Sequence, residues 1–190
     1  MLRASDIADF FIALGNAEHE DPMTNLRINK LLYFAQGWSL QRLKRKLFDE
    51  PIKAWKYGPV VGVIYNKYKE YGRNIITECS QEFDISVFSA DEIQLLLDVY
   101  NKYRDISTSR LVEKSHEANT PWARVYKEGE DNKTIPISLI SEYFNNHFPL
   151  KKSVVIPDNI EIIGRINPKT GHTILPAEED EGDDAYEDLV

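Results

Sequence analysis

The sequence contains a single cysteine, no long apolar run and no excess of basic charge, and each absence narrows the possible functions. Cys79 alone cannot form an intramolecular disulfide framework or a thiolate metal cluster. No window approaches the roughly 18 consecutive apolar residues that a transmembrane helix needs. The first residues, MLRASDIADFF, lack the basic region and apolar run of a signal peptide. We therefore expect a cytoplasmic protein that does not enter a membrane.

Standard catalytic and cofactor motifs are also missing. The chain has no Walker A loop and no GxGxxG, HExxH, CxxC or GxSxG sequence. Cys79 could pair with His116 or His147 as a nucleophile, but lone cysteines are commonly buried as small apolar residues. We therefore expect no catalytic residue, no cofactor and no enzyme activity.

One short pattern resembles half of a metal site. Glu113, His116 and Glu117 are spaced at i, i+3 and i+4 on a predicted helix. Di-metal helical bundles need this element twice, together with two further glutamates, and the sequence has no second ExxH. We favour a structural role for His116, next to the turn before Pro121 and Trp122, and we expect no metal.

Charge is distributed unevenly along the chain. Residues 176–190, PAEEDEGDDAYEDLV, contain eight acidic residues and no basic one, whereas residues 1–175 contain 23 of each sign. Affinity for nucleic acid depends on clustered lysine and arginine, so a neutral body argues against nucleic acid as a partner. The aromatic residues could stack on bases, but their helical spacing favours a core.

Apolar spacing predicts a mainly α fold of six to seven helices in one compact domain, with a small β element. The strongest helix is predicted to begin at Asp21 and Pro22 and to run to about Leu43. Its apolar residues form one inward face (Ile28, Leu31, Leu32, Ala35 and Trp38), and Asn29, Lys30, Gln36 and Gln41 are predicted to lie mainly off that face.

Capping and proline signals place the other helices. The first is predicted from Ser5 to Gly15, and Pro59 is predicted to open a third helix after an extended connector that could contain a short strand. Ser89 and Glu92 form a capping-box pattern before a fourth helix. Further helices are predicted over 107–118, 121–128 and 136–147.

The character of the sequence changes after Pro149. The segments IEIIGRI and HTIL flank NPKTG, which predicts a β-hairpin. The acidic residues that follow cannot bury enough apolar area to fold. We therefore expect a helical domain over 1–148, a hairpin extension over 149–175 and a disordered acidic tail over 176–190.

Several blocks taken together resemble a known family. INKLLYFAQGW, LFDEPIKAWKYGPVV, YNKYKEYG, SHEANTPW and ISLISEYF occur in the order and spacing of the Panacea domain of SocA-like antitoxins, from bacterial and prophage toxin–antitoxin systems. The resemblance covers about residues 1–148. The glycine expected before the LFDEP block is absent, and residues 149–190 lie outside the shared domain.

The resemblance implies a compact helical antitoxin that neutralises a cognate toxin by direct protein contact, in systems that include phage defence. In the SocA case it also implies an adaptor that delivers the toxin to a ClpXP-type protease. The alternative is a DNA-binding transcriptional autoregulator of a phage or toxin–antitoxin operon. The connector before Pro59 is longer than the turn of a helix-turn-helix, which weakens that alternative.

Two sets of candidate residues follow. Those that the resemblance marks as family signature, expected to be mainly structural, are Lys30, Leu31, Leu32, Tyr33, Phe34, Ala35, Gln36, Trp55, Tyr57, Gly58, Pro59, His116, Pro121 and Trp122. Those that could contact a partner through the extension are Ile160, Ile162, Ile163, Arg165, Ile166, Ile174, Leu175, Glu178, Glu179, Asp180, Asp183 and Asp184.

For both the hairpin and the acidic tail, a role that involves no partner remains as an alternative to partner binding. The hairpin could add a strand to the toxin or pack on its own helical body. The tail could occupy a basic toxin site or only add solubility.

Overall fold

The computed structural model describes residues 1–18, 23–79, 84–130 and 132–148, together with the backbone of residues 165–166 and 173–174. The chain divides into two compact units, Met1–Leu150 and Lys151–Val190. The described part of the first unit contains seven helices and a small three-stranded sheet, which confirms the mainly α fold class. The described helices include none long and apolar enough to cross a membrane.

The helices and strands of the first unit have the following bounds. The helices are α1 (Ala4–Glu18), α2 (Asn25–Arg42), α3 (Gly62–Lys67), α4 (Ala90–Tyr103), α5 (Thr108–His116), α6 (Pro121–Val125) and α7 (Ile137–His147). The strands are β1 (Ile52–Trp55), β2 (Gly58–Val61) and β3 (Lys133–Thr134), and short 3₁₀ turns lie at Lys69–Tyr71 and Ile85–Val87.

Helix α2 is the centre of the fold. It packs against α1, α4, α5, α7 and β2, and 15 of its 18 residues are buried. The prediction of one inward face was therefore wrong, since a helix covered on all sides buries its polar residues as well. Buried polar groups then need partners: Gln36 accepts from the Leu47 amide at 2.8 Å, and its amide donates to the Phe48 carbonyl at 3.0 Å.

The start of α2 also differs from the prediction. The helix begins at Asn25, and the Thr24 hydroxyl caps it by accepting from the Arg27 amide. Thr24 itself forms an antiparallel bridge with Ile75. This long-range pairing keeps residue 24 extended, so the helix begins later in the chain than the local capping signals predicted.

The connector after α2 is a β-hairpin. Strands β1 and β2 pair antiparallel, with Trp55 opposite Gly58 and Ala54 opposite Pro59, and β3 joins the free side of β1. The prediction that Pro59 opens a helix was wrong, because Pro59 lies within β2 and α3 begins at Gly62. Proline is tolerated here because β2 is an edge strand of the sheet order β2-β1-β3.

The remaining helices agree with their sequence signals. Ser89 and Glu92 form both bonds of the capping box at the start of α4, Ser107 caps α5, and Pro121 occupies the first turn of α6. The structure shortens the predicted sixth helix to Val125 and extends the first to Glu18. The prediction that Ser5 caps the first helix was wrong, because α1 begins at Ala4 and Ser5 lies inside it.

In the second unit the described backbone forms two short paired strands. Strand β4 (Arg165–Ile166) runs antiparallel to β5 (Thr173–Ile174), with Arg165 opposite Ile174. This pairing agrees with the predicted hairpin. The turn between the strands and the acidic residues 176–190 lie outside the described residues.

Candidate partner-binding site

A buried lysine joins α2 to the β1–β2 hairpin. Lys30 is fully buried, and its Nζ donates to the Pro59 carbonyl at 2.9 Å. Burial lowers the pKa of Lys30 from 10.5 to about 7 because the charged amine loses its hydration. One residue earlier, Asn29 accepts from the Val61 amide at 2.8 Å. Two consecutive polar residues of α2 therefore fix the position of β2.

Gly58 allows the hairpin to approach this lysine closely. Its φ of +99° disfavours any residue with a Cβ. An added Cβ would lie 2.6 Å from Ser115 Oγ and 2.9 Å from Lys30 Nζ. Strand β2, helix α5 and helix α2 therefore meet at a point where only glycine fits.

A stack of rings supports the other side of the hairpin. The imidazole of His116 lies flat on Trp122, with ring centroids 3.7 Å apart, and Trp122 stacks in turn on Tyr126. Trp122 Nε1 donates to the Trp55 carbonyl at 2.8 Å. Burial, and to a smaller extent the charge of Lys30, lower the pKa of His116. These contacts connect the end of α5 and the start of α6 to β1.

The other signature residues of α2 lie in the core. Tyr33 and Phe34 are buried, and Phe34 stacks on Tyr103 with centroids 4.3 Å apart. Leu31, Leu32 and Ala35 are fully buried, and Pro121 is buried at the start of α6. The signature residues thus divide into a core group and a group that holds the hairpin, and Tyr57, which is exposed in the turn, belongs to neither.

The outer surface of the hairpin is aromatic and basic. We define the hairpin face as Lys53 and Trp55 of β1, Lys56 and Tyr57 of the turn, and Tyr65 of α3. Tyr57 is 63% exposed and Tyr65 is 41% exposed. Trp55 meets Tyr65 edge to face at 4.9 Å, and its Nε1 donates to Asn132 Oδ1 at 3.1 Å. The Trp55 ring is therefore held from several directions.

The sequence signal for this face was present but incomplete. Ile52 and Ala54 alternate with Lys53 and Trp55 along the connector, so the latter two should point to the opposite side, as their partial exposure shows. Trp55, expected to be mainly structural, is only half-buried. Tyr65 was not singled out, because its position depends on α3 beginning after the hairpin.

A separate polar groove lies between α6 and α7. Its volume is about 410 Å³, and Arg124 and Glu142 form an ion pair at its edge. It is lined by Asn119, Arg124, Glu142, Tyr143, Asn146 and His147. None of the predicted site residues lines it.

Two chemical alternatives gain no support from the geometry. No group of three or more His, Cys, Asp or Glu side chains that could hold a metal occurs among the described residues, and Glu113 pairs instead with Arg110 at 2.6 Å. Cys79 is half-buried, with its thiol against the Asp9 carbonyl, and burial raises the pKa of that thiol. A raised thiol pKa is the opposite of what a nucleophilic cysteine needs.

The predicted contact residues of the extension lie mainly outside the described chain. Arg165, Ile166 and Ile174 belong to β4 and β5. The others, outside the described residues, are Ile160, Ile162, Ile163, Leu175, Glu178, Glu179, Asp180, Asp183 and Asp184.

Residues 28–123 match the family described as Antitoxin SocA-like, Panacea domain. The match runs from α2 into α6 and includes Lys30, the whole β1–β2 hairpin and the His116–Trp122 stack. The chain therefore belongs to the SocA-like Panacea-domain antitoxin family, as the resemblance of its sequence blocks implied.

A curated relative agrees with this assignment. The chain is 28% identical over 152 residues to Antitoxin SocA of Caulobacter vibrioides (strain NA1000 / CB15N), a match that covers 73% of this chain and 79% of that protein. No solved structure matches the chain.

Proposed function

We propose that this protein is an antitoxin that neutralises a cognate toxin in the cytoplasm by direct protein–protein binding, without catalysis. The observation that carries the proposal is the family match, which spans the elements that build and hold the hairpin. The relative's name, Antitoxin SocA, points the same way. The residues that hold the hairpin are buried and bonded to one another, so they support a binding surface better than a reaction centre.

Co-expression tests this proposal. The protein encoded by the neighbouring reading frame is expressed alone and then together with this chain. We expect growth arrest with the first and growth with the second, and a stable complex of the two purified proteins. Absence of toxicity in the neighbour, or protection without any complex, would contradict neutralisation by direct binding.

We also propose that residues 149–190 add contacts to the toxin, through the apolar residues of the hairpin extension and the carboxylates of the tail. A chain ending at His147 or Phe148 is compared with the full chain for toxin affinity. A weaker complex is expected, and stronger screening by salt in the full chain would identify the acidic tail as the contributor. Equal affinities would remove the extension from the mechanism.

A further hypothesis is that the complex is delivered to a ClpXP-type protease. The measurement is the half-life of the toxin in cells with and without that protease, in the presence of this chain. A half-life that does not depend on the protease would exclude an adaptor role and leave neutralisation by binding intact.

The DNA-binding alternative receives less support from the geometry. Helices α2 and α3 are separated by the paired strands β1 and β2, whereas a helix-turn-helix joins its helices by a short turn. A gel shift with the promoter region at two salt concentrations tests whether the chain binds DNA specifically.

A further inference from the structure

Exposed apolar side chains are concentrated near the β1–β2 turn. Among the described residues eight large hydrophobic side chains are exposed, and three of them lie within residues 57–65: Tyr57, Val63 and Tyr65. Clustered exposed aromatic residues commonly mark an interaction site. The core of the fold does not explain Tyr57, since its one ring contact is with the neighbouring Lys56.

The same face carries two lysines that form no ion pair with a carboxylate of the described residues. Lys53 Nζ donates to the neutral hydroxyl of Thr134 at 2.9 Å, and Lys56 Nζ lies 6.0 Å from the Tyr57 ring. Neither amine pairs with a carboxylate in the described part of the chain. A partner that places carboxylates opposite these two amines would complete their interactions.

Rigidity makes the face suitable for tight binding. The Trp55 indole is bonded to Asn132, its carbonyl accepts from Trp122, and its ring contacts Tyr65. An aromatic side chain already held in place loses little conformational entropy on binding. Buried Lys30 and Gly58 fix the strand that carries the turn, so these two signature residues act as the support of this face.

We infer that the hairpin face is the centre of the toxin-binding surface, and that it takes a protein surface on which carboxylates surround an apolar patch. This inference rests on the proposed antitoxin function. The aromatic side chains of the face expose on the order of 300 Å², whereas a specific interface buries about 800 Å² per partner. The face is therefore the hot spot of a larger contact.

Protein is favoured over nucleic acid as the occupant. Affinity for a phosphate backbone grows with the number of cations that contact it, and this face offers two lysines. The body of the chain, residues 1–175, has equal numbers of acidic and basic residues. Trp and Tyr are, in contrast, enriched at the centres of protein interfaces.

The test measures binding of the full-length chain to the purified product of the neighbouring reading frame. Tyr57→Ala removes an exposed ring that the fold does not need, and the double variant Lys53→Glu, Lys56→Glu reverses the charge. The matched controls are Ile85→Ala, another exposed apolar residue at 55% exposure, and Lys44→Glu. Lys44 lies just beyond the end of α2 at Arg42, and Arg42 is twelve positions after Lys30, about 18 Å along the helix axis.

Tyr57→Ala should raise the Kd about ten-fold or more, as truncation of a hot-spot aromatic does. The parent's association rate should fall between about 50 and 300 mM salt, and charge reversal should slow association and weaken that dependence. Both controls should bind like the parent, and melting curves should show that all variants fold. If the double variant does not melt cooperatively, Lys56→Glu alone replaces it, because Lys56 is exposed in the turn.

Parent-like toxin binding and protection by both face variants would overturn the inference and leave the antitoxin function standing. An equal loss in the Ile85→Ala control would also overturn it, because the effect would not be specific to this face. If charge reversal abolished binding to a single-stranded oligonucleotide but not to the toxin, the face would belong to nucleic acid. Failure of the parent itself to bind or protect would instead remove the proposed function, and this inference with it.

Discussion

Replacing Lys30 by methionine should change how the stability of the protein depends on pH. Lys30 is fully buried, and burial lowers its pKa from 10.5 to about 7. Methionine has a similar length and no charge, so it fills the same space. The substitution also removes the hydrogen bond to the Pro59 carbonyl, which both the ammonium and the neutral amine can donate, and any difference in strength between the two forms is already part of the pKa. The pH dependence therefore isolates the ionisation of the lysine.

The sign follows from the two pKa values. Below pH 7 the amine is protonated in both the folded and the unfolded chain, so the full cost of burying the charge is present there. Between about 7 and 10.5 the unfolded chain keeps a proton that the folded chain has released, so stability rises with pH. The slope approaches about 1.4 kcal/mol per pH unit. From pH 7 to about pH 9 the parent should gain about 2 kcal/mol relative to Lys30→Met.

Urea unfolding at several pH values across this range, followed by circular dichroism, measures the free energies. Other titrating groups are common to both proteins and cancel in the difference, except for His116, whose pKa Lys30 lowers. Burial lowers the pKa of His116 in both proteins, so its contribution falls mainly below the range from pH 7 to pH 9. Lys44→Met is the matched control, since it removes the same atoms from an exposed site, and its free energy of unfolding should follow that of the parent. A parent-minus-Lys30→Met difference that stays constant with pH would refute the reasoning, because the buried amine would then keep its proton on folding.

The remaining predictions concern close packing and one histidine. Gly37→Ala should destabilise the protein by about 2 kcal/mol or more, since an added Cβ would overlap an aromatic ring of α7, and the melting temperature checks this. Gly58→Ala should destabilise the protein by a similar amount, about 2 kcal/mol or more, because of the positive φ and the crowded surroundings of Gly58. Gly62→Ala is the control, because a Cβ there meets nothing, and it should change stability little. Equal effects at positions 58 and 62 would contradict the packing argument. The pKa of His116, read from the pH dependence of its NMR shifts, should rise in Lys30→Met because one of the two causes that lower it is removed; an unchanged pKa would show that the two groups do not interact.

Helix caps and helix periodicity were readable from the sequence, because both depend on residues close together in the chain. The Ser89–Glu92 capping box and the position of Pro121 in the first turn of α6 are examples. Such signals need no knowledge of the tertiary fold. They sufficed for the helical class and for most helix boundaries.

The hairpin and the surroundings of α2 could not be predicted in the same way. Pro59 is compatible with the start of a helix, and only its pairing opposite Ala54 places it in a strand. Likewise, lysine is normally a surface residue, and the burial of Lys30 follows from the close approach of β2 and α5 to α2. Long-range contacts override local preference at both positions.

Part of the site was predictable from the sequence: the residues that hold the hairpin were marked more clearly than the exposed residues of its face, for a physical reason. Sequence blocks mark the residues that hold the hairpin, because a buried lysine, a glycine with positive φ and a ring stack each tolerate few substitutes. Of the hairpin face, Trp55 and Tyr57 are among the signature residues, whereas Lys53, Lys56 and Tyr65 are not, since a solvent-facing side chain is constrained by its partner and little by its own fold. Without knowledge of the partner, the sequence therefore identifies the buried residues that support the surface more clearly than the exposed residues that form it.

The buried residues that fix the hairpin are distinct from the exposed residues of its face, and this difference suggests how one fold could bind different partners. Lys30 and Gly58 are buried, and changing either should disturb folding, whereas Tyr57 is 63% exposed and can change at little cost in stability. Exposed side chains can thus vary on a strand pair whose position stays fixed, which alters the chemistry that the face offers without refolding the protein. Specificity for a toxin would then lie in the exposed side chains of the turn and of α3, and stability in the buried contacts beneath them.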